Sequence, residues 1–230
     1  MRILVCDTET TPVTMEDGLV INYPVEVAFL ELDEELNIIS SFETLANPGC
    51  PIDPEAMAVH HITDEMVAGR PSMEEILEAE FSADFFNDVL VVAHHAPFDS
   101  KVMNPYWEIA DSLCTLRAAR HLYPDAPAHK LQVLRYWLKL VPMTALCGDA
   151  HRAMADVAVL YELLWNLIEV GNFERIEDLL ELSKSPITVT RMPFGKHKGM
   201  ELKDLPSGYV RWLLGTADID DDLRQSLLNI

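Results

Sequence analysis

The sequence predicts an α/β fold with a mixed sheet, and three observations carry that prediction. Three apolar runs open the chain with turn-forming residues between them, a fully apolar run recurs at Val89 to Ala93, and segments with helical periodicity alternate with strand after residue 72. Taken in order, Arg2 to Asp7 reads as a short buried strand, Val25 to Leu32 as a second and Asn37 to Leu45 as a third. Asp33-Glu34-Glu35 supplies the turn that makes these an antiparallel meander. Asn47-Pro48-Gly49 breaks the chain, and Pro54 to His60 and Thr63 to Val67 read as short helical turns. Ser72 to Phe86 has helical periodicity, with Ser72 as the cap and Glu75 three residues on. After the strand Val89 to Ala93, Pro97 suits the first turn of a helix, where its missing N–H costs nothing. Ser112 to Leu122, Lys130 to Leu140 and Ala153 to Val170 complete the helices.

Composition narrows the class. With 230 residues, 49% of them hydrophobic, the chain suffices for one large domain, or one domain and a small appendage, with a real core. The apolar stretch Ile3 to Cys6 is too short for a signal-peptide core, and no later segment approaches a membrane span, so a cytoplasmic protein without membrane contact is expected. Cys6, Cys50, Cys114 and Cys147 include no C-x-x-C pair, which fits reduced thiols better than a disulfide framework or a zinc knuckle.

A net charge of −21 opposes indiscriminate binding to polyanions unless basic patches or bound cations reverse the field locally. Acids crowd Asp53 to Asp88, where Arg70 is the single basic residue. Leu113 to Lys139 carries Arg117, Arg120, Lys130, Arg135 and Lys139 against only Asp125, and Leu182 to Met200 has no acid at all. Those two stretches are where phosphate could be met, or else they are ordinary solvated faces.

Three clusters carry chemistry: Asp7 and Glu9 in VCDTET, Asp99 at the end of VAHHAPFD, and His151 with Asp156 in HRAMADV. Residues two apart on a strand share a face, so Asp7 and Glu9 point the same way, roughly 6 to 7 Å apart, and their repulsion calls for a cation. Asp99 follows an apolar strand by a few residues, near the carboxyl end of the sheet where open α/β folds build sites. His151 and Asp156 are five apart, which on one helix would separate them by about 140°. One of them therefore lies off the helix. The simplest arrangement starts the helix near Ala153, with Asp156 in its first turns and His151 on the loop after Gly148, as a general base beside a fixed metal ligand. Four carboxylates and one imidazole are the parts of a site that holds two divalent metals and activates water for hydrolysis.

With these motifs in order, the chain resembles the DEDDh family of 3′-to-5′ exonucleases, whose motifs are D-x-E, a block ending in F-D, and H-x4-D. Ala56 to Met66, AMAVHHITDEM, is similar to the V-H-x-I-T segment of bacterial proofreading relatives. The resemblance covers roughly residues 1 to 180 and implies a ribonuclease H-like mixed sheet flanked by helices. It also implies that Asp7, Glu9, Asp99 and Asp156 hold two Mg²⁺ or Mn²⁺ ions, that His151 is the general base, and that nucleoside 5′-monophosphates are released from the 3′ end of DNA, in repair or recombination. Single-stranded DNA or DNA 3′ ends are the implied partners. An RNA-trimming enzyme and a catalytically silent nucleic-acid binding module are the alternatives; protein partners are not implied. Thr8, Thr10 and His60 are the expected substrate contacts. The family commonly has asparagine where this chain has His95, and glycine where it has Pro12, so His95 enters as a further, altered substrate contact.

The tail MPFGKHKGMELKDLPSGYVRWLLG, Met192 to Gly215, resembles the block following the nuclease domain in the exonuclease X branch of that family. The expected organisation is a nuclease domain over residues 1–182, a linker over 183–190 and a small α-rich module over 191–230. Lys196 and Lys198 are expected to contact phosphate. Phe194, Lys196, Lys198, Tyr209, Arg211 and Trp212 combine aromatics with basic groups, as a single-strand platform would; the other reading makes Tyr209 and Trp212, three apart on a short helix, core aromatics of a small unit, and Trp212 in particular is expected inside.

Overall fold

The computed structural model describes residues 2–82, 84–143, 152–216 and 219–230. His151, expected as the general base, lies outside the described residues. The chain divides into two compact units, Met1–Lys184 and Ser185–Ile230.

Among the described residues of the first unit, β1 (Arg2–Thr14), β2 (Val20–Leu32), β3 (Ile38–Leu45), β4 (Val89–Ala93) and β5 (Asp111–Cys114) form one sheet in the order β3-β2-β1-β4-β5. The first three pair antiparallel; β4 and β5 add in parallel, so the sheet is mixed as expected. Between and after the strands come α1 (Pro54–His60), α2 (Asp64–Val67), α3 (Met73–Glu80), α4 (Ala96–Met103), α5 (Thr115–Leu122), α6 (Leu131–Leu138), α7 (Ala153–Gly171) and α8 (Ile176–Lys184). Together these make a ribonuclease H-like fold.

β1 is central because it is apolar on both faces. Ile3 and Val5 join one core with Leu160, Leu163, Leu164 and Leu167 of α7, while Leu4 and Cys6 join the other beside Phe29, Val89 and Val91. A strand that buries both faces reads as a continuous apolar run, which is what Ile3 to Cys6 shows. Truncating one of these leucines to alanine would cost about 2–5 kcal/mol.

Three local expectations change. Ser112 to Leu122 is a strand and then a helix, because Asp111–Cys114 pairs with Leu90–Ala93 before the chain turns into α5. The helix after Ser72 stops at Glu80; its capping box is present, with Glu75 Oε2 accepting from Ser72 N at 2.8 Å and Ser72 Oγ accepting from Glu75 N at 3.2 Å. Phe81, Phe85 and Phe86 then leave helical phase to pile against Phe29, Phe42 and Trp107. β1 runs seven residues past Asp7, so both of its acids lie within paired strand.

In the second unit, α9 (Ser207–Leu214) and α10 (Asp221–Leu228) enclose a small core of Met192, Leu202, Leu205, Leu213, Ile219, Leu223 and Leu227. Backbone N–H groups of Ile187 and Val189 donate to Asp222 Oδ1 and Ser226 Oγ of α10, each at 2.9 Å. Trp212 is not in this core. It is 60% exposed, against the expectation, because the small unit fills its interior with leucines and turns this face of α9 outward.

Candidate active site

Strand alternation sorts the residues of the first motif. Asp7 and Glu9 continue the row of Ile3 and Val5 toward α7, whereas Thr8 continues the row of Leu4 and Cys6 on the opposite face. β4 pairs with β1 only as far as Val5, so these residues stand beyond the carboxyl end of the parallel pair, where α4 begins. The β1–β2 register shifts between Glu9 and Thr10, a bulge of the kind that re-aims side chains beside sites.

Asp156 occupies the first turn of α7, which packs on β1 and β2. Ligand oxygens of Asp7, Glu9 and Asp156 lie within 4.8 Å of one another. Asp99, on α4 and 4% exposed, is not one of that set of three, and Thr8 Oγ1 donates to its Oδ1 at 2.9 Å. Its charge still reaches the cluster. Burial raises the Asp7 carboxyl well above its usual range, and Asp99, Glu9, Asp156 and Glu26 push it further. Burial likewise pushes Glu9 up to about 8, with Asp156, Glu26 and Asp99 adding to it and Arg152 opposing. Asp99 is raised to about 7 by burial, against the hydrogen bond from Thr8.

This donor set fits a divalent cation. The donors are hard oxygens, they converge, and burial together with mutual repulsion raises the Asp7 and Glu9 carboxyls, disfavouring their charged forms unless positive charge arrives. A coordinated metal converts that repulsion into attraction.

The surrounding side chains were not legible as site residues. Gln132 of α6 donates through Nε2 to Asp156 Oδ1, and Arg135 Nη1 donates to Gln132 Oε1 at 3.3 Å, so α6 aims the α7 carboxylate. Glu26 of β2, the cross-strand partner of Glu9, is fully buried. It accepts from Arg152 Nε at 3.0 Å and from the Ala153 backbone N–H at 2.8 Å, capping α7 from the sheet. The available signal was an acid inside an apolar strand and an arginine just before a helix, 126 residues apart.

Among the expected substrate contacts, Thr8, Thr10 and His60 line one pocket of about 430 Å³ together with Glu9 and Phe98. Thr8 is nearly buried and its hydroxyl is engaged by Asp99. His60 is 1% exposed; its Nδ1 accepts from Ile62 N at 3.0 Å, and burial lowers its pKa, so the ring is neutral at pH 7. His95 does not line that pocket. It is the exposed residue before α4 with φ of +96°, and its ring stacks parallel to Phe98 at 6.4 Å. His94 is structural: Nε2 meets the His129 carbonyl at 2.7 Å, Nδ1 meets Thr115 Oγ1 at 3.0 Å, and burial lowers its pKa to about 4. Lys196 and Lys198 belong to the second unit, where both are exposed. No described helix is long and apolar enough to cross a membrane.

Known proteins are similar to this chain in sequence and fold. A family model described as exonuclease matches residues 4–164, and a second, named for a candidate quorum-sensing-regulated virulence factor, matches residues 179–217. Exodeoxyribonuclease 10 of Escherichia coli (strain K12) is 29% identical over 231 residues, spanning 99% of this chain and 96% of that protein. DNA polymerase III subunit epsilon of Treponema pallidum (strain Nichols) is 32% identical over 170 residues, spanning 70% of this chain and 74% of that one. The solved structure of exonuclease X in complex with 5′ overhanging duplex DNA matches with a TM-score of 0.62 at 26% identity, covering 79% of this chain and 99% of that one. The nuclease domain of a DEDDh family member bound to rAMP shares the fold, with a TM-score of 0.55 at 14% identity over 74% of this chain and 92% of that chain. A family match over most of the chain has one reading: the chain belongs to the DEDDh, DnaQ-like exonuclease family.

Proposed function

We propose that the protein is a metal-dependent 3′-to-5′ exonuclease that releases nucleoside 5′-monophosphates from DNA, in the trimming of 3′ ends that repair or recombination requires. The convergence of Asp7, Glu9 and Asp156 within 4.8 Å carries this reading, because three converging acids, Asp156 buried and the other two half-buried, make a poor binding surface for phosphate until cations join them. The names of the relatives support DNA as substrate: one is an exodeoxyribonuclease, and exonuclease X was solved with DNA.

In this reading Asp7, Glu9, Asp99 and Asp156 hold two Mg²⁺ or Mn²⁺ ions. When bound, those ions supply positive charge that acidifies water and offsets charge on the scissile phosphate. The chain's own residues do the rest. Thr8 orients Asp99, Gln132 orients Asp156, and the Glu26–Arg152 pair holds the start of α7 against the sheet. His151, adjacent to Arg152 in the chain, takes the proton of the attacking water on an imidazole nitrogen. Thr10, His60 and Phe98 form the wall against which the terminal nucleotide rests, a contact indifferent to sequence because sugar, phosphate and base faces are common to all nucleotides.

Incubation with 3′-labelled single-stranded DNA or RNA and Mg²⁺ tests the proposal. Labelled mononucleotide from DNA is the expected result. Release from RNA alone would make the enzyme an RNA trimmer, release from neither would make it a binding module, and release without metal would overturn the mechanism.

A further inference from the structure

The second unit holds an open pocket of about 700 Å³ that the nuclease mechanism does not use, formed by Phe194, Lys196, His197, Gly208, Tyr209 and Trp212 among others. Three observations single it out. First, two of its rings stand outside the core, Trp212 at 60% and Phe194 at 44% exposed, in a unit of this size that ordinarily needs its large aromatics for stability, while Tyr209 packs half-buried against that core and presents its remaining face to the pocket. Second, the rings are grouped, with Tyr209 5.4 Å from Trp212 and 4.5 Å from His197 between centroids, and no side chain covers the Gly208 edge. Third, the charge around them is positive in a chain of net charge −21. No carboxylate lines the pocket, and Lys196 Nζ stands 5.5 Å from the Tyr209 ring centroid. Glu201 pairs with Arg191 and Lys203, leaving Lys196, Lys198 and Arg211 without a carboxylate partner among the described residues.

We propose that this pocket binds single-stranded nucleic acid, stacking unpaired bases on Trp212 and Tyr209 while Lys196, Lys198 and Arg211 meet the phosphates. Exposed rings beside unpaired cations fit a polymer that alternates flat bases with anions, and stacking accepts any base. A duplex buries its base faces and cannot use the rings. The inference deepens the nuclease reading without depending on hydrolysis, because binding is read without metal.

The test uses the full chain in EDTA with fluorescein-labelled oligo(dT), oligo(rU) and a duplex of equal length, followed by anisotropy. Trp212→Ala is expected to weaken single-strand binding about tenfold or more while leaving duplex binding much less affected, and Trp212→Phe to retain most of the affinity. Lys196→Ala with Lys198→Ala should flatten the salt dependence of log K by about 0.7 per lysine. A preference between oligo(dT) and oligo(rU) identifies the natural strand, and either supports the proposal. Unchanged affinity and salt slope in these variants, equal losses on duplex and single strand, or binding of a proline-rich peptide with no binding of oligonucleotide would overturn it. Hydrolysis measured separately with Mg²⁺ reports on the nuclease reading, so the two can fail independently.

Discussion

Glu9 and Glu26 face each other across β1 and β2, yet the protein treats them in opposite ways. Glu26 receives a guanidinium from Arg152 and a backbone N–H from Ala153; Glu9 is left among Asp7, Asp156 and Asp99 with its carboxyl pushed up to about 8. Where an acid has an architectural task, the chain supplies the compensating cation from its own sequence. Where a half-buried acid is met mainly by other acids, with Arg152 opposing them only from the neighbouring pair, a cation from outside would supply the missing charge. One end of the sheet thus holds a closed anchor and an open cradle, built from the same residue type on adjacent strands.

The largest effect should come from the open cradle. Asp7→Asn or Asp156→Asn is expected to bring turnover to background in the labelled-oligonucleotide assay, while the metal-free thermal midpoint stays level or rises because a mutual repulsion has been removed. A collapse in that midpoint would make these acids architectural, like Glu26, and the contrast would fail. His151→Ala should come next, lowering kcat about 10²- to 10⁴-fold with Mn²⁺ binding by calorimetry retained. An unchanged rate would transfer the proton to another group.

The closed anchor should respond in stability instead. Arg152→Met strands a fully buried glutamate, a loss of the order of 3–5 kcal/mol in urea unfolding. Glu26→Gln should cost less, since the Arg152 side chain is 34% exposed and can turn to water. Glu26→Leu combined with Arg152→Leu should recover part of the loss of the single arginine variant. If the double variant is as unstable as Arg152→Met, the pair does not act as a unit and Glu26 matters only as the cap of α7.

Titration tests the open cradle. A carboxyl raised in the folded state binds a proton that the unfolded chain has released, so its stabilising contribution is complete below the ordinary carboxyl value, about 4, and is lost as pH rises, through about 7 for Asp99 and then through about 8 for Glu9. The metal-free protein should therefore lose thermal stability between those limits. Added Mg²⁺ should restore it, and more at the alkaline end than at the acidic end. Equal shifts with Mg²⁺ at both ends would separate metal binding from this cluster.

The convergence of Asp7, Glu9 and Asp156 was readable in the sequence because each of these acids sits at a fixed offset from a local pattern: the end of an apolar strand, or the start of a helix. The fold class followed from the same patterns. The anchor was not readable, since Glu26 and Arg152 are paired by the packing of α7 on β2 and no local period connects them. β5 was missed for a related reason: four residues of strand run straight into α5, and only pairing with β4 separates them. Trp212 was misjudged because size alone argues for burial, whereas its direction depends on which face of α9 carries Leu213 inward.

The smallest effect concerns strain rather than charge. His95 opens α4 with φ of +96° and ψ of 45°, a left-handed conformation that asparagine adopts more readily because its short amide bonds locally to the backbone. The asparagine usual in the family at this position therefore has a backbone reason. His95→Asn should stabilise the protein by about 0.5 kcal/mol, a fraction of the cost of a strained non-glycine residue. A loss of stability would mean instead that the stacking of His95 on Phe98, which lines the pocket beside Glu9, outweighs the strain. In that case the histidine shapes the wall of the open cradle, and KM for oligonucleotide should rise in the same variant while kcat holds.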